Sequence, residues 1–339
     1  MRDSFLDSSK ALLIFCVVFG HFLERMIGWS DPKSHVLLGL IYSIHMPAFI
    51  FISGMLFKDK NVLKNILFFM ALYVPFQILY PLFDALWTAK LVWRWNLFER
   101  PYWILWYLLS MMLWTALTHY LIRTKLPLLI AIILALLVGF STWNNYQYSI
   151  GRILVFFPFF MMGHLYGKRI ISWIRTQKYK VPKASAILIV IAAVMSFTQL
   201  SAYWLYGSLS YQQLKVDWIE GSLIRIGCLL LSAFGIYAVF ALSSRWGSNF
   251  RTLGERTLPV YLLHGFVVIA ISHLMSLNPF LTDLSSQNHF LLQFAWGIEV
   301  ALCFVLSVLS CWLLQHPLLD QLLRMLSLWL MKPTEKFWK

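Results

Sequence analysis

The sequence predicts an all-α protein, a polytopic integral membrane helical bundle of about ten transmembrane helices with both termini cytoplasmic. Three observations carry this. Of the 339 residues, 60% are hydrophobic and only 12% are charged, against roughly 45–50% and 25% in a soluble domain. So much apolar surface cannot be hidden in water-soluble cores of this size, which excludes a cytosolic globule, a secreted enzyme and a disordered chain. The apolar residues also cluster into runs that approach the ~20 residues a bilayer-spanning helix needs. Finally, 28 Lys and Arg face 14 Asp and Glu, a formal charge of +14, and the basic residues sit between the runs. They form no nucleic-acid-binding motif, so no nucleic acid is expected as a partner; they match the positive-inside bias of cytoplasmic loops.

In chain order the approximate spans are 9–28, 36–57, 62–88, 102–122, 126–142, 152–171, 183–206, 221–242, 258–277 and 290–313. No small-residue cleavage site follows the first run, so it reads as a retained helix. The third carries Pro75 and Pro81 and is expected to kink or break. The fifth is short, which suggests little tilt or a partly re-entrant segment. The sixth, with Pro158 and Gly163, is expected to flex. After Pro317, residues Leu318, Leu319, Leu322, Leu323 and Leu326 give an amphipathic stretch suited to the membrane surface. The expected division is therefore a membrane domain over 1–316 and an amphipathic, basic cytoplasmic tail over 317–339. Cys16, Cys228, Cys303 and Cys311 all lie in apolar runs without CxxC spacing, so neither a disulfide framework nor a metal site is expected.

With the N-terminus inside, eight of the 28 basic residues fall outside: Arg25, Lys33, Lys90, Arg94, Arg100, Arg152, Lys215 and Arg225. The other twenty mark the cytoplasmic side.

Ionisable groups within the spans are costly and so point to function. Asp7, Lys10 and His21 fall within roughly a 60° sector of the first helix, with Lys10 and His21 about 16 Å apart along its axis. Asp7 and Lys10 can pair at i,i+3, holding a cation at the cytoplasmic mouth. His21 lies deeper, beside Gly20. On the second span His45 precedes Pro47 at a similar depth, ~14 Å, so the two imidazoles could face each other. Ser53 and Gly54 form a small-residue packing step. Trp103, Trp106 and Tyr107 open the fourth span as either an interfacial aromatic belt or a sugar-stacking surface. Arg152, Arg225 and Glu299 are buried charges on later spans, and an Arg–Glu contact between helices is one reading of the last two. Tyr261 and His264 stand one turn apart near the cytoplasmic end of the ninth span.

The strings LDSSKALLIFCVVFGH, IYSIHMPAFIFISGMLF, WILWYLL, FFPFFMMG and LGERTLPVYLLH, in that order over nearly the whole chain, resemble the membrane acyltransferase-3 family. They resemble in particular its fucose 4-O-acetylase-like, surface-polysaccharide branch. The resemblance implies a membrane O-acetyltransferase over 1–316, in the bacterial cytoplasmic (inner) membrane. It would move acetyl from cytoplasmic acetyl-CoA to a hydroxyl of a cell-surface or lipid-linked glycan. The family's essential pair, a basic residue followed by ten residues and a histidine, maps onto Lys10 and His21. Lys in place of the commoner Arg would act as a point charge. The family's two arginines three apart after the second span have no counterpart; Lys60 and Lys64 are the nearest cations. No appended soluble catalytic domain is expected, so transfer falls to the membrane part.

On this reading His21 is the candidate base, since imidazole titrates near neutrality, with Asp7 and His45 as catalytic partners. Lys10, Lys58, Lys60 and Lys64, with Tyr261 and His264, are the candidate donor-binding residues. Trp103, Arg152, Arg225 and Glu299 are the candidate acceptor-binding residues. Acetyl-CoA is the donor and no bound cofactor is expected; the remaining partners are the glycan acceptor and membrane lipids. A transporter or flippase of a glycan or lipid intermediate shares the spans and buried charges, although no internal repeat is evident. A reporter fused to the C-terminus is expected to be active only in the cytoplasm; activity solely outside would overturn the topology.

Overall fold

The computed structural model describes residues 4–88, 97–143, 145–244, 250–277 and 289–337, excepting the side chains of 276–277, 289–294 and 336–337. Arg2, Lys90, Arg94, Arg245 and Lys339 of the charge count lie outside the described residues. Among the described residues every regular element is helical, and nine of the helices are long and apolar enough to cross a membrane. These are α1 (Ser4–Met26), α2 (Pro32–Leu56), α3 (Val62–Thr88), α4 (Trp106–Leu121), α6 (Ile150–Thr176), α7 (Lys180–Thr198), α9 (Trp218–Ser243), α11 (Thr257–Leu277) and α12 (His289–Leu314). The shorter α5 (Pro127–Leu137) extends through a 3-10 turn to Phe140. Two five-residue helices, α8 (Ala202–Tyr206) and α10 (Arg251–Glu255), lie between longer ones, and α13 (Pro317–Met331) follows the bundle.

Local chemistry sets several of these boundaries. Asp31 caps α2 by accepting from Ser34 N at 2.8 Å, with Pro32 preset for the first turn. Asp217 caps α9 through Ile219 N and Glu220 N at 2.7 and 2.9 Å. Gln199, in the left-handed region at φ 46°, stops α7. This break overturns the expected continuous span 183–206: α7 ends at Thr198, and Tyr206 belongs to the separate α8. Of the kink or break expected in the third span, the break does not occur: α3 is one continuous helix through Pro75 and Pro81. A spanning helix tolerates proline because neighbouring groups satisfy the freed carbonyls.

Contacts at the helix ends define two faces. On one, Ser9 Oγ meets Ser243 Oγ at 2.8 Å, and Arg256 donates to the Gln315 carbonyl. His119 there pairs with Asp59 at 2.5 Å. On the other, Arg25 donates to Ser272 and Trp296 to Ser34, and Tyr211 N donates to the Gly139 carbonyl at 2.7 Å. Thus α5, though short, returns the chain to the face where α4 began, and is not re-entrant. Among the described residues ten helices run between the two faces, nine of them long and apolar enough to cross a membrane, and α1 begins on the face where α12 ends. We name these the Lys10 face and the His21 face after the α1 residues nearest them.

Lipid rather than water suits the perimeter: Phe197 and Ile189 on α7 and Trp312 on α12 are 88%, 69% and 65% exposed. Inside, α2 and α6 cross with backbones almost touching. A Cβ on Gly54 would lie 1.9 Å from the Phe160 carbonyl oxygen, and one on Gly163 2.0 Å from that of Phe51. Gly163 therefore serves close approach. The outer face of α13 carries Leu318, Leu322, Met325 and Trp329, while Leu323 and Met331 are buried. Gly163→Ala is expected to lower the melting temperature of the detergent-solubilised protein by many degrees, since overpacking costs about 1–3 kcal/mol even where side chains can yield. Gly227→Ala, with nothing within 4 Å of the added Cβ, should leave it unchanged; equal effects would sink the packing argument.

Candidate active site

The site grows from the last turns of α1. His21 lies five residues before the end of α1, about 8 Å along the axis at 1.5 Å per residue. It is thus nearer its face than the mid-membrane depth expected, because α1 starts and ends earlier than its apolar run. One turn on, Glu24 Oε2 lies 3.4 Å from His21 Nδ1. Tyr42 of α2 places its hydroxyl 3.2 Å from the same nitrogen and donates to Glu24 Oε2. Tyr206 of α8 donates to Oε1. Burial and the adjacent Glu24 carboxylate hold the Tyr206 hydroxyl well above the usual phenol range, so it remains a donor. The tautomer that donates Nδ1–H to this carboxylate would leave His21 Nε2 as a proton acceptor.

Two further rings frame the imidazole. Trp103 meets it edge-on at 4.6 Å between centroids, and His264 of α11 stacks on it at 5.4 Å and 19°. His264 was expected near the cytoplasmic end, and His21 and His45 as imidazoles that could face each other; these two do border a common chamber. In the structure His264 is the stacking partner, while His45 packs against Tyr42 at 4.8 Å and donates Nδ1–H to the Ile41 carbonyl at 2.7 Å. Nδ1 of His264 donates to the carbonyls of Val260 and Tyr261 at 3.0 and 2.8 Å. That leaves a lone pair on its buried Nε2, which has no hydrogen-bond partner.

Trp103 is presented by a pinned loop. Buried Gln77 of α3 donates to the carbonyls of Leu97 and Arg100 and accepts from Tyr102 N. Tyr261 donates to the Ile104 carbonyl. Between these anchors Trp103 is held at φ 31°, a backbone state that a bulky residue rarely adopts. Trp106 and Tyr107 turn inward, each only 8% exposed, so neither forms a lipid-facing belt.

An inner chamber of about 70 Å³ opens beside His21, lined also by His45, Trp106 and Tyr261. A larger cavity of about 640 Å³ lies above it at the His21 face, with Arg100, Tyr146 and Trp29 in its wall. Glu24, Trp103, Arg152 and Tyr206 border both. The chamber has room for a few waters or a small acyl group; the outer cavity is of the size that holds a small molecule or sugar.

The family model of the acyltransferase domain (Acyl_transf_3) matches residues 3–316. The chain belongs to the acyltransferase-3 family. Comparison with curated proteins and with solved structures gave no match. The protein is accordingly a membrane acyltransferase, an acyl-transferring enzyme that uses an acyl donor and an acceptor.

In this acyltransferase the expected site residues divide by position. His21, His45, Trp103, Arg152 and Tyr261 line one or both cavities, and His264 stacks on His21 without being part of either wall. Asp7 and Lys10 form the expected pair, at 2.7 Å, but at the opposite end of α1. There the Asp7 backbone packs so closely on Gly254 of α10 that a Cβ would lie 1.8 Å from its carbonyl oxygen. Lys58 and Lys60 are exposed and Lys64 half-buried at the start of α3, also toward the Lys10 face. Arg225 does not meet Glu299. It is fully buried, donates to the carbonyls of Trp204 and Leu209 and lies 5.0 Å over the Trp204 ring. It therefore braces the segment that carries Tyr206. Glu299, half-buried on α12, is outside both cavity walls. Sequence reasoning missed Glu24, Tyr42, Tyr206 and Gln77; only Glu24 carried a local signal, the i,i+3 spacing from His21. Glu24→Gln preserves shape but removes the charge, and is expected to lower kcat of acyl transfer roughly 10²–10⁴-fold. Near wild-type kcat would remove Glu24 from the machinery.

Proposed function

We propose that the protein transfers acetyl from acetyl-CoA to a hydroxyl of a cell-surface or lipid-linked glycan in the bacterial cytoplasmic membrane. The observation that carries this reading is the His21–Glu24 pair at the junction of a small chamber and a sugar-sized cavity. A chamber of about 70 Å³ favours a two-carbon acyl group over a long chain. The aromatic walls suit the apolar faces of sugar rings.

The Lys10 face is the cytoplasmic one, given the excess of Lys and Arg in the segments assigned to it. Lys10, with Lys58, Lys60 and Lys64, holds the phosphates of CoA there. The pantetheine arm follows α1 toward Val17, which lines the chamber. His21 Nε2 takes the proton from the acceptor hydroxyl as its oxygen attacks the thioester carbonyl, forming the C–O bond. The tetrahedral intermediate expels the CoA sulfur, breaking the C–S bond, and the imidazolium returns the proton to the thiolate. Glu24 keeps the imidazole in the required tautomer and stabilises its positive charge. His45 and Tyr261 shape the chamber, His264 backs the His21 ring, and Trp103 and Arg152 face the acceptor. Asp7 steadies Lys10, and Arg225 supports the acceptor side through Tyr206. Glu299 has no part in this scheme. The amphipathic helix α13 (Pro317–Met331) lies at the cytoplasmic surface on this reading.

Radiolabelled acetyl transfer from acetyl-CoA in membranes tests this, with mass spectrometry expected to show a gain of one acetyl group per modified sugar. His21→Ala should abolish transfer with membrane insertion intact. Lys10→Ala should chiefly raise KM for acetyl-CoA. Wild-type turnover in His21→Ala would sink the mechanism, and unchanged donor dependence would take Lys10 out of it.

A further inference from the structure

The outer cavity carries more positive charge than the dyad uses. Arg152 of α6 has its guanidinium 5.3 Å from the Trp106 ring, 5.4 Å from Tyr206 and 5.9 Å from Tyr146. The Arg100 guanidinium sits 4.1 Å from the same Tyr146 ring. A guanidinium stays charged in a protein and presents planar N–H forks that match a carboxylate or phosphate. The Arg152 Nε is buried and has no hydrogen-bond partner, an expensive state for a charged group's donor. The carboxylate on the cavity wall, Glu24, is already engaged by His21, Tyr42 and Tyr206.

We propose that the outer cavity recognises an acceptor carrying an anionic oxygen group, a carboxylate or a phosphate, which Arg152 and Arg100 clasp beside Tyr146. This rests on reading that cavity as the acceptor site. The sugar ring lies against Trp103 and Tyr206, and its anionic group satisfies the open donor of Arg152. Two sources share this chemistry, the carboxylate of an acidic sugar and the phosphate that joins a glycan to its carrier.

The test titrates the purified full-length protein in detergent with two matched pairs, following tryptophan fluorescence because Trp29 and Trp103 line the cavity. One pair is methyl β-glucuronide and methyl β-glucoside; the other is α-glucose 1-phosphate and methyl α-glucoside. In at least one pair the anionic member should bind tenfold or more tightly than its neutral match, and which pair responds distinguishes carboxylate from phosphate. Arg152→Gln should cut that preference to threefold or less. Arg100→Gln should reduce it at least threefold, and it is read in the same way if Arg152→Gln fails to fold. No preference in either pair, or a preference untouched by these substitutions, overturns the proposal. Displacement of the anionic glycan by coenzyme A would assign the arginines to the donor and overturn it too. Binding needs no acyl transfer, so an intact preference without acetylation would count against the proposed acetylase alone.

Discussion

A carboxylate inside an apolar bundle must find donors or be expelled, and Glu24 finds three, from three different elements. His21 belongs to α1, Tyr42 to α2 and Tyr206 to α8. Removing a charge from water costs several kcal/mol unless its lone pairs are satisfied, so these helices are held in one relative position by a single group. The cavity, the tautomer of His21 and the seat of Tyr206 all follow from that satisfaction. Arg225 plays the complementary part, occupying carbonyls of the 204–209 segment that no helix can use.

The site is built by layers of support rather than by one motif. Gln77 pins the loop before Trp103, and Tyr261 ties the following 3-10 turn to α11. Trp103 is thereby held in a strained backbone state against His21. Strain of this kind, of order 1–3 kcal/mol, persists only where surroundings overdetermine it. The small-residue contact between α2 and α6 sets a rigid base for that arrangement, since neither backbone can move inward.

The two ends of α1 perform different tasks. The Asp7–Lys10 pair and the His21–Glu24 pair each have i or i+3 partners on one helix, yet the bundle separates them toward opposite faces. A donor held at one end and a hydroxyl entering at the other would meet only at the chamber. On the proposed reading, that separation would let one membrane enzyme draw its two reactants from opposite sides.

Hydropathy, composition and charge placement determined by themselves that this chain is a polytopic helical bundle, because lipid admits only segments whose backbone is internally bonded and whose surface is apolar. The pairs Asp7–Lys10 and His21–Glu24 were likewise legible, being one turn apart on a helix, although only the first was read. Where α7 stops was not legible: apolar residues continue past Thr198, and it is the left-handed Gln199 that turns the chain so that Tyr206 faces inward. The choice of His264 over His45 as the partner of His21, the contact of Tyr206 with Glu24 and the binding of Arg225 to carbonyls were decided only by the tertiary structure. These residues are hundreds or tens of positions apart, and helix periodicity fixes which face a side chain shares, not which neighbour that face meets. The sequence alone thus settles the solvent in which this protein folds, while the packing of its helices settles which of its few buried charges stand together.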